Sequence, residues 1–475
     1  MIRYLFLVFI YSFIINFNYS QDIILGDYIP GNGLVFSSTD QNYKVVLRGY
    51  SQSLFESKTR SFDSSNILDN NVYNRFRARR VRLRLSGNQL FPGFSYRLQV
   101  DLAQSVEGDG ELSGLLLDAW VGYNITKKLK IIFGQKATPT DNLSVQMASN
   151  SLQLPERSRL TSAFASIREV GLFMEGKFKT GKKSVLKSML CITNGDGSNT
   201  LSNDFGGLKY GARINFLPFG TFRNFGQFRQ VDMVRELSPK LMLGINGSYN
   251  VGMSSRRGRE NGDFVYYKLT NNNGLPITGQ NEFNSISDIP DYITKEIRLP
   301  TFIKYGADLL FKYRGFSLIT EFVKTKAIIN NDINFRRNRY NNDNPDEITN
   351  NLPNEFDDGN PGSTSYKMWA NYLKSQMMLG LGLNIQAGYL FKNLFSIDGR
   401  VTSLNPDEYS FMNNTSFYNR NKYYTIGISK YFSKNYSYKI QASYTLVDDA
   451  TIRDLSSVDY RGSENILRLM VQIAF

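Results

Sequence analysis

Beyond its first twenty residues the chain alternates apolar and polar positions, over stretches of roughly ten residues, again and again. Phe94, Tyr96, Leu98, Val100 and Leu102 share one face of an extended segment, and Ser95, Arg97, Gln99 and Asp101 share the other. Val81, Leu83 and Leu85 alternate with Arg82 and Arg84. Leu467, Leu469, Val471, Ile473 and Phe475 alternate with Arg468, Met470, Gln472 and Ala474. A period of two marks strands with one apolar face. The pattern predicts about sixteen of them, near 43–53, 75–87, 93–104, 115–124, 129–136, 169–179, 184–193, 207–217, 239–250, 303–313, 316–326, 376–390, 395–404, 423–432, 436–447 and 464–475. No window in this part of the chain holds the 18 or more apolar residues of a membrane helix.

The connections alternate too. Residues 88–92, 125–128, 180–183, 314–315, 391–394 and 433–435 are short, and 54–74, 105–114, 137–168, 251–302, 327–375, 405–422 and 448–463 are long. One connection on the short side, 218–238, is longer than a turn. Short turns on one rim and long polar loops on the other predict an all-β, transmembrane, antiparallel up-and-down β-barrel, with short periplasmic turns and long extracellular loops. An unpaired backbone N–H or C=O costs several kcal/mol in hydrocarbon, so a sheet crosses a membrane only when closed. Tyr50, Tyr123, Tyr313, Tyr389, Phe391 and Tyr431 stand at strand ends, where interfacial girdles belong. A soluble sandwich or propeller would not need them.

At the N-terminus, Arg3, an apolar run from Tyr4 to Ile15 and a small Ser20 predict a secretory signal peptide over 1–20. The run is too short to span a bilayer. No cysteine lies near residue 20, which argues against a lipoprotein anchor. The expected organisation is a periplasmic segment over 21–42 and a barrel over 43–475, in the outer membrane of a Gram-negative bacterium.

Composition then narrows the chemistry. The 475 residues carry 56 Lys+Arg against 42 Asp+Glu, a formal net charge of +14, with no histidine and one cysteine. Imidazole triads, histidine-ligated zinc and an internal disulfide are excluded. Neither a cofactor nor a metal is expected. The basic excess points to an anionic partner; export makes nucleic acid a poor one. With the apolar register facing lipid, Arg48, Arg82, Arg84, Arg97, Lys130, Lys177, Lys187, Arg213, Lys304, Lys312, Arg400, Lys439 and Arg468 face the lumen. Fewer acids do: Asp101, Asp118, Glu175, Asp308, Glu321, Asp398 and Glu464. Such a wall concentrates anions, unless its bases only pair with the acids as a structural mesh.

Arg82, Arg84, Arg97, Lys130, Lys136, Arg168, Arg213, Arg400, Lys439 and Arg468 are therefore the candidate anion path. The tract from Arg75 to Arg84 has arginine at 75, 77, 79, 80, 82 and 84, and its change of parity between Arg79 and Arg80 predicts a bulge. The third long connection, 137–168, with Glu156, Arg157 and Arg159, is a candidate constriction loop folded into the barrel. Arg336, Arg337 and Arg339 are expected in a solvated loop, the Asn194–Asn199 run as a tight outer turn rather than a calcium site, and Cys191 as packing.

The chain resembles the phosphate-selective porin O/P family of outer-membrane porins, in a Bacteroidetes-type form. The stretches that carry the resemblance are Gly33-Leu34 with Asp40; Arg75-Phe76-Arg77-Ala78-Arg79-Arg80-Val81-Arg82-Leu83; Phe94 to Asp101; and Leu117-Asp118-Ala119-Trp120-Val121. Leu129-Lys130-Ile131, Gly134-Gln135-Lys136, Glu156-Arg157-Ser158, Arg168-Glu169-Val170-Gly171, Asn194-Gly195-Asp196-Gly197 and Gln386-Ala387-Gly388-Tyr389 complete it. It implies a sixteen-stranded porin, usually a homotrimer, with an arginine- and lysine-lined path for small anions such as phosphate. A third loop sits at the constriction. Its partners would be outer-membrane lipid and the assembly machinery, which would read the terminal Phe475. The chain departs from the pattern at Ile132, an inward position where related sequences often carry a base. The rivals are a general porin with a charge mesh, a barrel enzyme, which the missing histidines disfavour, and a plugged or adhesive barrel. No separate folded segment long enough to be a plug is expected.

Overall fold

The computed structural model describes residues 23–24, 28–29, 33–38, 43–62, 72–88, 93–103, 115–198, 206–253, 264–277, 283, 286–338, 348–350, 352, 366–410, 420–453 and 459–475. Sixteen strands form a closed antiparallel barrel, and three short N-terminal strands, Ile23–Ile24, Tyr28–Ile29 and Gly33–Ser38, join the same sheet. The sixteen are β1 (Lys44–Phe62), β2 (Val72–Asn88), β3 (Phe94–Asp101), β4 (Leu116–Asn124), β5 (Leu129–Ala137), β6 (Arg168–Lys179), β7 (Val185–Thr193) and β8 (Lys209–Leu217). Then follow β9 (Lys240–Asn250), β10 (Thr301–Tyr313), β11 (Phe316–Ile328), β12 (Gly380–Leu390), β13 (Phe395–Pro406), β14 (Lys422–Tyr431), β15 (Tyr438–Arg453) and β16 (Asp459–Ala474). Each pairs with its neighbours in sequence. β16 closes the circle on β1, from Gly462 opposite Phe62 to Ala474 opposite Tyr50.

Closure leaves no edge, as a lipid solvent demands. Side chains then divide by parity. Val121, Phe133, Ile214, Ile245, Ile426 and Ile473 are exposed around the outer wall, whereas Gln52, Arg213, Lys304, Glu321, Gln441 and Gln472 are buried inside. An apolar belt this continuous would be heavily penalised in water, at roughly 25 cal/mol per Å²; hydrocarbon removes the penalty. No helix among the described residues is long and apolar enough to cross a membrane, which says nothing about strands.

All sixteen strands fall where the period-two pattern put them, but β1, β2, β15 and β16 run further. Pairing persists to Thr59–Val72 and Arg453–Asp459, so the ladders extend through the ends of connections expected to be loops. Gly33–Ser38 continues the β16 side of the ladder by pairing Leu34–Ser37 with Leu47–Lys44. Phe475 caps the closure through both backbone bonds to Gly49. The expected signal peptide lies outside the described residues.

Two of the long connections, 251–302 and 327–375, together build an outer unit. Phe264–Thr270, Thr294–Ile297, Phe335–Asn338 and Ile348–Thr349 make a separate four-stranded sheet. Its core is Val265, Leu269, Ile289, Phe335 and Ile348. Three short helices follow the chain order α1 (Leu143–Gln146), α2 (Arg159–Phe164) and α3 (Tyr366–Ser375). Trp369, Tyr372 and Leu373 of α3 pack with Tyr266 and Ile333 of this outer unit. Arg336 is therefore not in a solvated loop: it sits over the rings of Phe264 and Tyr372, at 4.8 and 4.9 Å. Arg337 lies in the same strand, and Arg339 lies outside the described residues.

Gly134 and Gly171 face each other across β5 and β6. Gly134 has φ +123°, and a Cβ there would lie 2.3 Å from the Ala119 carbonyl oxygen. Gly134→Ala is expected to destabilise the barrel by about 1–3 kcal/mol, read as a lower urea midpoint in vesicles, whereas Ser51→Ala on the exposed outer face leaves it unchanged. An unchanged midpoint for Gly134→Ala would contradict the assigned register.

Candidate functional site

The site is the lumen, and its first component is the third long connection. Residues 138–167 run inside the barrel, where α1, α2 and most intervening residues are buried. Polar inward side chains hold the segment at many points. The Asp308 carboxylate accepts the Leu143 N–H at 2.9 Å, and Glu321 accepts from Ser144 N–H at 2.6 Å and Asn142 Nδ2 at 2.8 Å. Lys304 pairs with Asp141. On the opposite wall, Lys439 donates to the Leu152 carbonyl at 2.9 Å and Gln441 to the Gln153 carbonyl at 2.7 Å. Arg157 turns back on its own segment and donates to the carbonyls of Ser144 and Met147. α2 starts at Ser158, whose hydroxyl accepts the Thr161 N–H, a standard N-cap.

The predicted bulge is present. Gln52 pairs with Arg80 and Ser53 with Ala78, so Arg79 is the extra residue on β2. One extra residue lets two consecutive side chains face the same way. Both use it on Glu156, which accepts from Arg79 Nε at 2.5 Å and Arg80 Nη2 at 2.6 Å. Arg400 donates to the Glu156 carbonyl at 2.8 Å. Arg159 lies over the Tyr423 ring, 5.8 Å from its centroid. The three loop residues singled out from sequence thus play three parts: Glu156 anchors, Arg157 shapes the loop, and Arg159 packs on the wall.

The candidate path residues separate into two groups. Arg213 is 1% exposed and bonded to Asp308, Asn215 and the Asp141 carbonyl. Lys439 is sealed under the loop, and Arg400 and Arg468 are buried against Glu156 and Glu56. Arg213, Arg400 and Lys439 hold the insert, Arg468 pairs with Glu56 on the wall, and all four are buried. Arg82, Arg84, Arg97, Lys130, Lys136 and Arg168, on β2 to β6, keep partial exposure. Arg82 binds Asp101 and Ser149 Oγ; Lys136 pairs with Glu175; Arg168 takes Asp118 at 3.0 Å, leaving Arg97 at 3.8 Å from the same carboxylate. Arg97 and Lys130 both sit over the Trp120 ring, at 5.2 and 4.7 Å. Among the described residues Arg84 makes no ion pair. Arg48 stands directly opposite it on β1.

Ile132 does face inward, packed with Phe173 and Cys191 in a small apolar cluster on the lumen wall. The Asn194–Ser198 stretch is a turn with Gly195 and Gly197 at positive φ, its Gly195 carbonyl bonded by Asn250. Among the described residues no group of metal-ligating side chains is present. The wall glutamines at 52, 386, 441 and 472, which bond the loop at Ser149, Gln153 and Asn150, have no signature in the sequence beyond inward parity, and Gln153 of the loop has none.

Residues 60–232 match the family model of the phosphate-selective porins O and P. The matched porin segment carries the bulged arginine tract, Glu156 and the whole inserted loop. No curated protein matches the chain. Among solved structures, the outer membrane channel DcaP of Acinetobacter baumannii is similar at TM-score 0.43 and 11% identity, over 93% of this chain and 99% of that one. The anion-selective porin from Comamonas acidovorans is similar at TM-score 0.45 and 10% identity, over 91% of this chain and 100% of that one. The fold itself rests on the strand pairings. Porin match and closed barrel together support an outer-membrane channel for passive diffusion rather than an enzyme.

Removing the charge of Glu156 would strand two buried guanidinium groups. Glu156→Gln is expected to lower unfolding stability in vesicles by about 3–5 kcal/mol. Arg75→Gln, at a pair whose arginine side chain is 48% exposed, should cost under about 1 kcal/mol. Equal effects would contradict the anchoring role.

Proposed function

We propose that the chain is an outer-membrane porin whose lumen admits small anions, phosphate among them, in preference to cations. One observation carries this. Arg48 and Arg84 are cross-strand partners on one face, and Arg97 sits diagonal to Arg84, opposite Ser86. Like charges opposite each other destabilise a sheet. Asp118 lies 3.0 Å from Arg168 and 3.8 Å from Arg97, so one carboxylate is shared between two guanidinium groups. Such a cluster gains most from a diffusible counter-ion.

A permeating anion exchanges part of its water for guanidinium and ammonium hydrogen bonds. Arginine offers a planar fork to two phosphate oxygens, and lysine a mobile point charge. Contacts must be numerous and individually weak so that the ion can leave. Arg82, Arg84, Arg97, Lys130, Lys136 and Arg168 are the residues that would serve, with the third loop setting the narrowest section. The resemblance adds a homotrimer in outer-membrane lipid, export by the leader over 1–20, and Phe475 as the signal for barrel assembly. The competing reading, a general porin with a charge mesh, is favoured by the sealed pairs Arg213–Asp308, Lys209–Glu169 and Lys304–Asp141.

Reversal potentials of the purified protein in planar bilayers under a KCl gradient separate the two. Anion preference is expected, reduced at least twofold by Arg84→Glu or Arg97→Glu, with phosphate lowering the chloride current. Cation preference in the unaltered protein, or indifference to both substitutions, would overturn the proposal.

A further inference from the structure

Residues 218–238 join β8 to β9 on the short-turn rim, where a tight turn would suffice. Instead they enter the barrel. Lys312, inward on β10, donates to the carbonyls of Gly226, Arg229 and Val231 at 2.9, 2.9 and 3.0 Å. Asp232 accepts the Gly315 N–H at 2.8 Å, and Arg235 donates to the Leu390 carbonyl, tying the segment to the β10–β11 turn and the end of β12. Tyr436, between β14 and β15, donates to the Val231 carbonyl at 2.9 Å. Asn224, Phe225 and Arg235 all have positive φ. Three such residues persist only where contacts over-determine the backbone.

The segment also meets the third loop. Ala148 N–H donates to the Phe228 carbonyl, Gln153 N–H to Gln230 Oε1 at 3.0 Å, and Gln386 Nε2 to Gln230 Oε1 at 3.0 Å. Phe228 lies under Lys187 of β7 at 5.1 Å, and Arg229 lies over Tyr436 at 4.9 Å. The chain thus crosses the lumen as a chord from β7 to the β14–β15 turn. Behind the chord and the third loop the inward residues are sealed: Ser317, Gln386, Asp398, Ser429 and Gln441 are at most 2% exposed, with Gln386 bonded to Gln230 of the chord and Ser317, Ser429 and Gln441 to Gln153 of the loop. In front of it Arg84, Ser86, Arg97 and Lys187 remain half-buried. Arg229 is half-buried on the chord, within electrostatic reach of Arg48.

We propose that residues 218–238 are a fixed inner wall that, joined to the third loop through Gln230 and Gln153, shuts the β8–β15 side of the lumen and confines passage to the β1–β7 side, with Arg229 as the wall's own contribution to the cationic lining. The role of Arg229 rests on the anion-channel reading; the position of the wall does not.

Single cysteines in a Cys191→Ser background test it, with currents recorded before and after the anionic reagent sulfonatoethyl methanethiosulfonate. Both Ser86→Cys, in front of the chord, and Ser429→Cys, behind it, are near-isosteric changes. The reagent is expected to cut current by more than half at Ser86→Cys and leave Ser429→Cys unchanged. Equal loss at both, or loss at Ser429→Cys alone, would overturn the wall whatever the ion preference. Arg229→Glu is expected to shift the anion-to-cation permeability ratio at least twofold toward cations; no shift, in a channel whose unaltered form prefers anions, would overturn the role of Arg229. An unaltered channel without anion preference, but with current lost at Ser86→Cys alone, would sink the anion reading and leave the wall standing.

Discussion

The pairing of β16 with β1 is the constraint on which the rest depends. A sheet in hydrocarbon must satisfy every backbone N–H and C=O within itself, and closure from Gly462 to Ala474 does so. Closure forces strict alternation between a lipid face and a lumen face. The lumen face is then polar, and polar groups inside a narrow barrel need partners of their own. Residues 138–167 and 218–238 supply them with backbone carbonyls and N–H groups, from opposite rims. The two inserts are consequences of the closed wall, much as the wall is a consequence of lipid.

Charge is distributed by the same logic. Where an insert covers the wall, bases meet acids or carbonyls: Arg213 with Asp308, Lys304 with Asp141, Arg79 and Arg80 with Glu156. These groups are removed from bulk water, and each is tolerable only because it is paired. Away from the inserts, Arg48, Arg84 and Arg97 gather on one face of β1–β3, with Asp118 shared between Arg97 and Arg168. The net charge of +14 therefore understates how uneven the interior is.

Much of this was legible in the residues. Strands have a fixed period, so Phe94 to Leu102 or Leu467 to Phe475 announce themselves from local order alone. The bulge at Arg79 was legible for the same reason, as a break in parity. The outer sheet was not: Val265, Phe335 and Ile348 form one core from three distant stretches of polar loop, and nothing periodic links them. Nor was the chord. Its excess length was visible, but its inward course depends on Lys312 and Tyr436, far away in sequence. Parity places Arg213 and Arg84 alike toward the lumen, yet only the three-dimensional course of the inserts decides that one is sealed and the other stays accessible.

In this reading the basic, accessible part of the lumen wall surrounds Arg84 and Arg97 on β2 and β3, and the polar mesh around Arg213 and Lys439 is sealed. Bromide anomalous scattering from crystals grown in a bromide salt locates anions directly. Peaks are expected beside Arg84 and Arg97, and none beside Arg213 or Lys439. Bromide at the sealed positions with none beside Arg84 and Arg97 would contradict this arrangement.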